Sequence, residues 1–149
     1  MSYTQLLYHI VIRTKYSSPV IPNEYSDDLY RYISGLVKNK KSFLYRINGM
    51  PEHIHLLVAI HPTISLSDFV RDLKTSTNKW MKNNNKFSRF EAWGEKYAAF
   101  SCFFPDKETI IDYIKNQREH HTKEDFITEY RRLIRENGIV INEEYFLKE

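Results

Sequence analysis

Apolar and polar residues follow two different periods along this chain, and the two periods divide it into strands and helices. Alternating runs rich in β-branched and aromatic residues predict strands, and apolar residues three or four apart predict helices. The predicted strands cover residues 4–15, 42–50, 52–60 and 96–104. The predicted helices cover residues 23–39, a segment from Ser65 or Ser67 to the polar run 83–86, residues 107–121 and residues 123–137.

Residues with special backbone preferences stand at the ends of these elements. Pro22 suits the first turn of a helix, and Gly138 stands where the last helix is expected to stop. The short turn at Gly49-Met50-Pro51 predicts a hairpin of the second and third strands. The resulting order, β-α-β-β-α-β followed by two helices, predicts an α+β fold with a ferredoxin-like antiparallel sheet and additional C-terminal helices. A length of 149 residues suits one domain over residues 1–149.

Composition excludes several classes of protein. Hydrophobic residues make up 42% of the chain and charged residues 28%, as in a globular domain rather than a disordered segment. One cysteine, Cys102, excludes a disulfide framework and a cysteine-based zinc site. No run reaches the roughly 18 apolar residues of a membrane span, and the N-terminus lacks the pattern of a signal peptide. We therefore expect a cytoplasmic protein with no membrane partner.

The charge is uneven, although its net value is only +3. Residues 1–105 hold 14 Lys and Arg against 8 Asp and Glu, whereas residues 106–149 hold 8 against 11. The basic residues form two clusters, Lys38, Lys40, Lys41 and Arg46, and then Arg71, Lys74, Lys79, Lys82, Lys86 and Arg89. Such clusters favour a polyanionic partner such as nucleic acid, but a solvated lysine-rich helix surface explains them equally well.

Two spaced motifs carry the candidate chemistry. Because side chains alternate along a strand, His53 and His55 project from one face of the third strand and can converge on a divalent ion. Tyr113 and Gln117 are four residues apart, so they lie on one face of the third helix. Taken singly, each pair has an ordinary explanation, as hydrogen-bonded histidines and as a half-buried core tyrosine.

Together, and in this order of elements, the two motifs resemble the HUH endonucleases, and more narrowly the single-tyrosine transposases of the insertion-sequence 200/605 group. The resemblance covers nearly the whole chain. It is carried by Tyr8-His9-Ile10-Val11, by residues 49–58 around the histidines, by Ser65-Leu66-Ser67-Asp68 with Leu73-Lys74, by Trp93-Gly94-Glu95-Lys96-Tyr97, and by residues 113–117 with His120 and His121.

The resemblance implies a metal-dependent DNA transferase that recognises hairpins in single-stranded DNA and works as a homodimer. By position, His53, His55 and Gln117 would bind Mg²⁺ or Mn²⁺, and Tyr113 would be the nucleophile. A phenol, whose ordinary pKa is near 10, is a weak nucleophile at neutral pH, and a divalent ion compensates by polarising the phosphate. The covalent phosphotyrosine would conserve the bond energy, in agreement with the absence of an ATP-binding P-loop motif.

Several roles stay open at this point. His120 and His121 can be ligands, DNA contacts or proton carriers, although a solvated helix end is slightly favoured for both. His9 and His61 are expected to be structural or surface residues, and strand alternation would point Glu52 away from His53.

Two other functions compete with the mobile-element transposase. One is a non-catalytic binder of single-stranded nucleic acid. The other is a domesticated relative that acts on repetitive chromosomal hairpins.

Overall fold

The computed structural model describes residues 2–148. The strands are β1 (Leu7–Thr14), β2 (Phe43–Met50), β3 (His53–Ala59) and β4 (Trp93–Cys102). The helices are α1 (Ser26–Asn39), α2 (Leu66–Lys82), α3 (Lys107–Lys115), α4 (Gln117–His120) and α5 (Phe126–Glu136). No helix among residues 2–148 has both the length and the apolar character that crossing a membrane requires.

The four strands form one antiparallel sheet in the order β2-β3-β1-β4. The predicted hairpin of β2 and β3 is present, and β1 lies between β3 and β4. At Gly49 an added Cβ would come within 2.2 Å of the His53 carbonyl oxygen, so only glycine fits this close approach. The predicted α+β, ferredoxin-like order is confirmed.

Helices cover both faces of this sheet. Alternate residues of the central strands, such as Ile10 and Ile54, pack under α1 and α2 in the larger core. On the opposite face Val11 packs against α5, and Leu57 packs against α3. The same alternation places the side chains of His53 and His55 on this second face, beneath the C-terminal helices.

Several element boundaries differ from the sequence prediction, most clearly those of β4 and α5. β4 begins at Trp93 rather than at residue 96, because pairing with β1 resumes at Thr14 after an irregularity in the register. The last helix begins at Phe126 rather than at residue 123, because the Asp125 side chain accepts a hydrogen bond from the Thr128 amide and caps it there. It ends as predicted, with Gly138 in the left-handed region at φ 77°.

The helix predicted over 107–121 is broken into α3 and α4 at Asn116. The Asn48 side chain on β2 donates to the carbonyls of Ile114 and Lys115, at 3.1 and 3.0 Å. These carbonyls would otherwise accept bonds from the next turn of a continuous helix. The break therefore has a tertiary cause, and it separates Tyr113 on α3 from Gln117 on α4.

Candidate active site

The site is built around two histidine side chains that β3 holds in the interior. His53 and His55 are both 0% exposed, and their ring centroids are 4.9 Å apart. Both present Nε2 to the space under α5. A polar pair this deep requires hydrogen-bond partners, and the neighbouring elements supply them.

Glu129 of α5 is the acceptor shared by these histidines. Its carboxylate is 0% exposed. One oxygen, Oε1, lies 3.3 Å from Nε2 of His53 and 3.2 Å from Nε2 of His55. Nε2 of His121 lies 2.9 Å from the same oxygen. His53, His55 and Glu129 form a buried group whose potential ligand atoms all lie within 4.8 Å of one another, so the group could hold a metal ion.

The other nitrogen of each strand histidine is also held. Nδ1 of His53 lies 2.8 Å from a carboxylate oxygen of Glu52, and Nδ1 of His55 lies 2.8 Å from Nε2 of His9. Without a metal ion, Nε2 of each ring carries the proton that it donates to Glu129. If Nδ1–H instead donates to Glu52 and His9, Nε2 of both rings is left free to bind a metal ion, as in metal-binding histidines. The expected orientation of Glu52 was wrong, because Glu52 lies in the turn before β3, where strand alternation does not apply.

Burial and close charges set the protonation of this cluster. Burial lowers the pKa of His55 to about 4 and that of His9 to about 3. Burial also acts to lower the pKa of His53, but hydrogen bonds to two carboxylates outweigh it and raise that pKa. Although burial acts to raise the pKa of Glu129, hydrogen bonds from His121 and the strand histidines hold it well below its ordinary value. At neutral pH the neutral imidazoles of His9 and His55 therefore lie beside the anionic carboxylate of Glu129, and His53 is the more readily protonated of the two strand histidines.

Tyr113 and Gln117 reach the second oxygen of the same carboxylate. The Gln117 amide donates to Glu129 Oε2 at 2.8 Å, and the Tyr113 hydroxyl donates a short hydrogen bond to it. Gln117 is also fully buried, and its Oε1 lies 3.1 Å from Nε2 of His53. One chain therefore brings its own tyrosine helix against its own histidine strand, despite the break at Asn116.

The Tyr113 hydroxyl lies between two opposite charges. Besides its bond to Glu129, it accepts a hydrogen bond of 2.8 Å from the guanidinium of Arg132. Burial, and then the Glu129 carboxylate, raise the pKa of this phenol above its ordinary value, although Arg132 acts in the opposite direction. The hydroxyl is therefore protonated at neutral pH when no other cation is present.

The two histidines after Gln117 have different surroundings. His121 was expected at a solvated helix end, but its side chain is only 4% exposed because it bonds to Glu129. The His120 ring stacks on Tyr113, with centroids 4.8 Å apart, and is half-buried.

Trp93 is a core residue, and its indole N–H donates a hydrogen bond to Thr77 at 2.8 Å.

A cavity of about 250 Å³ opens beside the tyrosine. Its walls come from β1, the end of β4, α3 and α5, and include His9, Phe100, Tyr113, Arg132 and Asn137. The Tyr113 side chain and the Arg132 guanidinium therefore face a space that communicates with the surface.

Sequence reasoning missed Glu129 and Arg132. A signal for Glu129 was present, because Phe126, Tyr130 and Leu133 define the buried face of α5 and Glu129 lies at helical spacing within that face. A carboxylate at a core position needs buried partners. No comparable signal marks Arg132, which is partly exposed.

Comparison with known proteins agrees with the fold and the motifs. The family model described as "Transposase IS200 like" matches residues 2–117. The ISDra2 transposase TnpA of Deinococcus radiodurans is 26% identical over 120 residues, which are 77% of this chain and 86% of that protein.

Two solved structures are similar as well. A candidate transposase from Deinococcus radiodurans has a TM-score of 0.62 and 26% identity, over 78% of this chain and 93% of that one. A REP-associated tyrosine transposase, solved bound to a REP hairpin, has a TM-score of 0.61 over 81% of this chain and 72% of that one. Its 14% identity supports the fold alone. Because the family model covers most of the chain, we conclude that this protein belongs to the IS200-like transposases, a family of DNA-processing enzymes.

Proposed function

We propose that this transposase cleaves and rejoins single-stranded DNA through a covalent bond to Tyr113. One observation carries the proposal: a single tyrosine hydroxyl lies at the edge of a buried histidine–carboxylate cluster and opens to a cavity. The hydroxyl is held between a buried carboxylate and an arginine, beside atoms that could bind a metal ion and a cavity that could admit a phosphate.

The donor set fits a divalent cation. His53 and His55 offer neutral nitrogens, Glu129 offers an anionic oxygen, and the partners of the far imidazole nitrogens fix both rings. Gln117, the third ligand implied by the family resemblance, lies next to them and can add its amide oxygen. Mixed nitrogen and oxygen donors suit Mn²⁺ and are compatible with Mg²⁺. When bound, the ion would polarise the phosphate that is to be cleaved.

The chain's own residues account for the bonds made and broken. The Tyr113 oxygen attacks phosphorus, so an O–P bond to the 5′ side forms as the bond from phosphorus to the 3′ oxygen breaks. The phenol gives up its proton and the released 3′ oxygen gains one, so the step is balanced without ATP. In the second step a 3′-hydroxyl attacks the phosphotyrosine, and Tyr113 leaves and is regenerated.

Single-stranded DNA with a hairpin is the proposed substrate. The chain has a basic first two-thirds, and one structural relative is a hairpin complex. Apart from Arg46 on β2, the residues of the basic clusters lie on or just after α1 and α2, which pack on the face of the sheet remote from Tyr113. Some of their charges are paired, as Lys40 is with Asp72, so α1 and α2 offer fewer free cations than the residue count suggests. They would hold the DNA backbone at a distance from the cleaved bond.

The homodimer and the cytoplasmic location stay predictions. Because Tyr113 contacts the cluster of its own chain, each protomer of a dimer could carry a complete site. Mixing a His53→Ala chain with a Tyr113→Phe chain tests this. A mixture without cleavage supports sites complete in one chain, restored cleavage supports shared sites, and a monomer in sedimentation would contradict the dimer.

The decisive experiment traps the covalent intermediate. A pool of single-stranded hairpin oligonucleotides with randomised flanks is incubated with the protein and Mn²⁺, and strands bound covalently to protein are isolated and sequenced. We expect an adduct that peptide mapping places on Tyr113 and that is absent in Tyr113→Phe. The matched control is Tyr97→Phe, which removes a hydroxyl from a residue packed on the opposite core.

Three results would overturn this proposal. An adduct on another tyrosine, or a free 5′-phosphate without attached protein, would move the nucleophile away from Tyr113. Tight hairpin binding with no cleavage would favour the non-catalytic binder.

A further inference from the structure

We propose that Arg132 is a second catalytic residue, which binds the Tyr113 oxygen and the phosphate that this oxygen attacks. The inference rests on the proposed function and adds a residue to it. Arg132 lies on α5, beyond residues 2–117 that the family model matches, so nothing in that match assigns it a role.

The guanidinium is oriented toward the phenol. Its NH2 group donates to the Tyr113 hydroxyl at 2.8 Å, and the guanidinium carbon lies 5.6 Å from the centre of the tyrosine ring. Glu124 holds the other edge in two hydrogen bonds, Nε to Oε2 at 3.0 Å and NH2 to Oε1 at 2.9 Å. A two-point contact of this kind fixes the plane of the guanidinium, which a lysine ammonium could not match.

One arm of Arg132 is available for a substrate. Among residues 2–148, its NH1 group has only long contacts, 3.3 and 3.4 Å, to the Glu136 carboxylate, whose side chain is 58% exposed. Both residues line the cavity beside Tyr113. A phosphate that enters this cavity can replace Glu136 on NH1 while NH2 stays on the phenol oxygen. Arg132 would then contact the attacking oxygen and an oxygen of the phosphate that it attacks.

The chemistry of the step makes such a contact useful. Negative charge is shared between the phosphate oxygens and the tyrosine oxygen when the O–P bond forms, and again when it breaks during rejoining. A fixed cation at the tyrosine oxygen stabilises both transition states without having to reorient. Arg132 should therefore affect cleavage and rejoining alike, and DNA binding much less.

A purely structural explanation makes different predictions. If Arg132 only ties α5 to the preceding loop through Glu124, its loss should lower stability and leave the rate of chemistry in the folded protein unchanged. Arg131 is the matched control, because it is the adjacent arginine of the same helix, pairs with the exposed Glu143, and does not line the cavity.

The test uses the full chain and the hairpin oligonucleotide that the wild-type protein traps. Single-turnover rates of adduct formation and of rejoining are measured for Arg132→Gln, Arg132→Lys and Arg131→Gln, together with DNA affinity and melting temperature. For Arg132→Gln we expect both rates to fall by about 100-fold or more. We expect its DNA affinity to change by less than about threefold. Arg132→Lys should recover part of both rates, and Arg131→Gln should behave as wild type.

The outcomes separate this inference from the proposed function. If Tyr113→Phe abolishes the adduct while Arg132→Gln keeps the wild-type rates, the role of Arg132 is wrong and the tyrosine mechanism stands. If the wild-type protein forms no adduct, both are wrong. If Arg132→Gln does not fold, Arg132→Lys and Glu124→Gln decide. Slower chemistry in these folded variants supports the inference, and wild-type rates in both overturn it.

Discussion

Replacement of Glu129 by glutamine tests whether the carboxylate at the centre of the site holds the cluster together. The substitution keeps the size of the side chain and removes its charge. In the wild-type chain both oxygens act as acceptors: Oε1 for the histidines, and Oε2 for Tyr113 and Gln117. An amide has one oxygen and one nitrogen, so one end must present N–H groups where an acceptor is required.

The loss of stability in Glu129→Gln follows from this count of acceptors. If the amide nitrogen faces Tyr113 and Gln117, it meets two donors; if it faces the histidines, the charge-assisted bond from His121 is lost. A buried donor left without an acceptor costs about 1–3 kcal/mol, and breaking a buried ion pair costs about 3–5 kcal/mol. Since an imidazole can change tautomer and accept from the amide, we expect Glu129→Gln to lower the free energy of unfolding by about 2–4 kcal/mol.

Urea unfolding in the presence of EDTA measures this loss. At pH 7, with circular dichroism as the signal, the midpoint should fall by about 1–2 M. The control is Glu136→Gln, the same substitution on an exposed residue of the same helix, for which we expect a change within about 0.5 kcal/mol. If Glu129→Gln is as stable as the control, the carboxylate does not organise the cluster, and the reasoning about its five contacts fails.

Three further predictions concern pH, metal and salt. The folded protein holds the pKa of His9 and His55 below the unfolded value near 6.5. The metal-free chain should therefore lose stability as pH falls from about 6.5 toward 4, and the free energy of unfolding should be lower by about 1–2 kcal/mol per histidine at pH 5. Urea midpoints across this range should decline less in His9→Gln. Calorimetry with Mn²⁺ should show one site, and its affinity should fall by about 100-fold or more in the His53→Ala, His55→Ala double variant. The control His61→Ala should bind Mn²⁺ as the wild type does. The affinity should also fall on acidification, because the ligands must be unprotonated. DNA affinity should fall steeply between about 50 and 200 mM salt and should favour a flanked hairpin over blunt duplex; a flat salt dependence would contradict phosphate contacts by the basic clusters.

Local patterns were sufficient to predict the order of elements. The alternation in β1 and β3 and the spacing in α1 and α2 reflect burial on a shared core, so they appear directly in the sequence. The break at Asn116 does not, because it depends on the Asn48 side chain, which approaches from a strand more than sixty residues earlier. A contact of that kind changes the hydrophobic periodicity of neither segment, so the sequence pattern does not predict it.

The candidate site was predictable to a similar extent. His53 and His55 follow from strand alternation, and Tyr113 and Gln117 were indicated by spacing together with the family resemblance. A solvated helix end was slightly favoured for His121, because His121 is the last residue of the helix predicted over 107–121. Only the position of α5 over the sheet reveals that His121 turns inward to Glu129. Predicting that position requires the packing of α5 on Val11 and Phe100, which the amphipathic pattern of α5 does not specify.

The two parts of the chain therefore depend on each other at the site. The residues that the family model matches supply the histidines, Tyr113 and Gln117, whereas the segment after residue 117 supplies His121, Glu129 and Arg132. Without α5, the buried imidazoles and the Tyr113 hydroxyl would lose their shared acceptor, and the apolar residues of β1 and β4 beneath α5 would face water. Both losses are unfavourable, since one leaves polar groups unpaired and the other exposes core surface. The helix that covers Val11 and Phe100 on the second face of the sheet is thus the same helix that provides the carboxylate and the cation beside the tyrosine, so a substitution that displaces α5 should disrupt both this part of the core and the site.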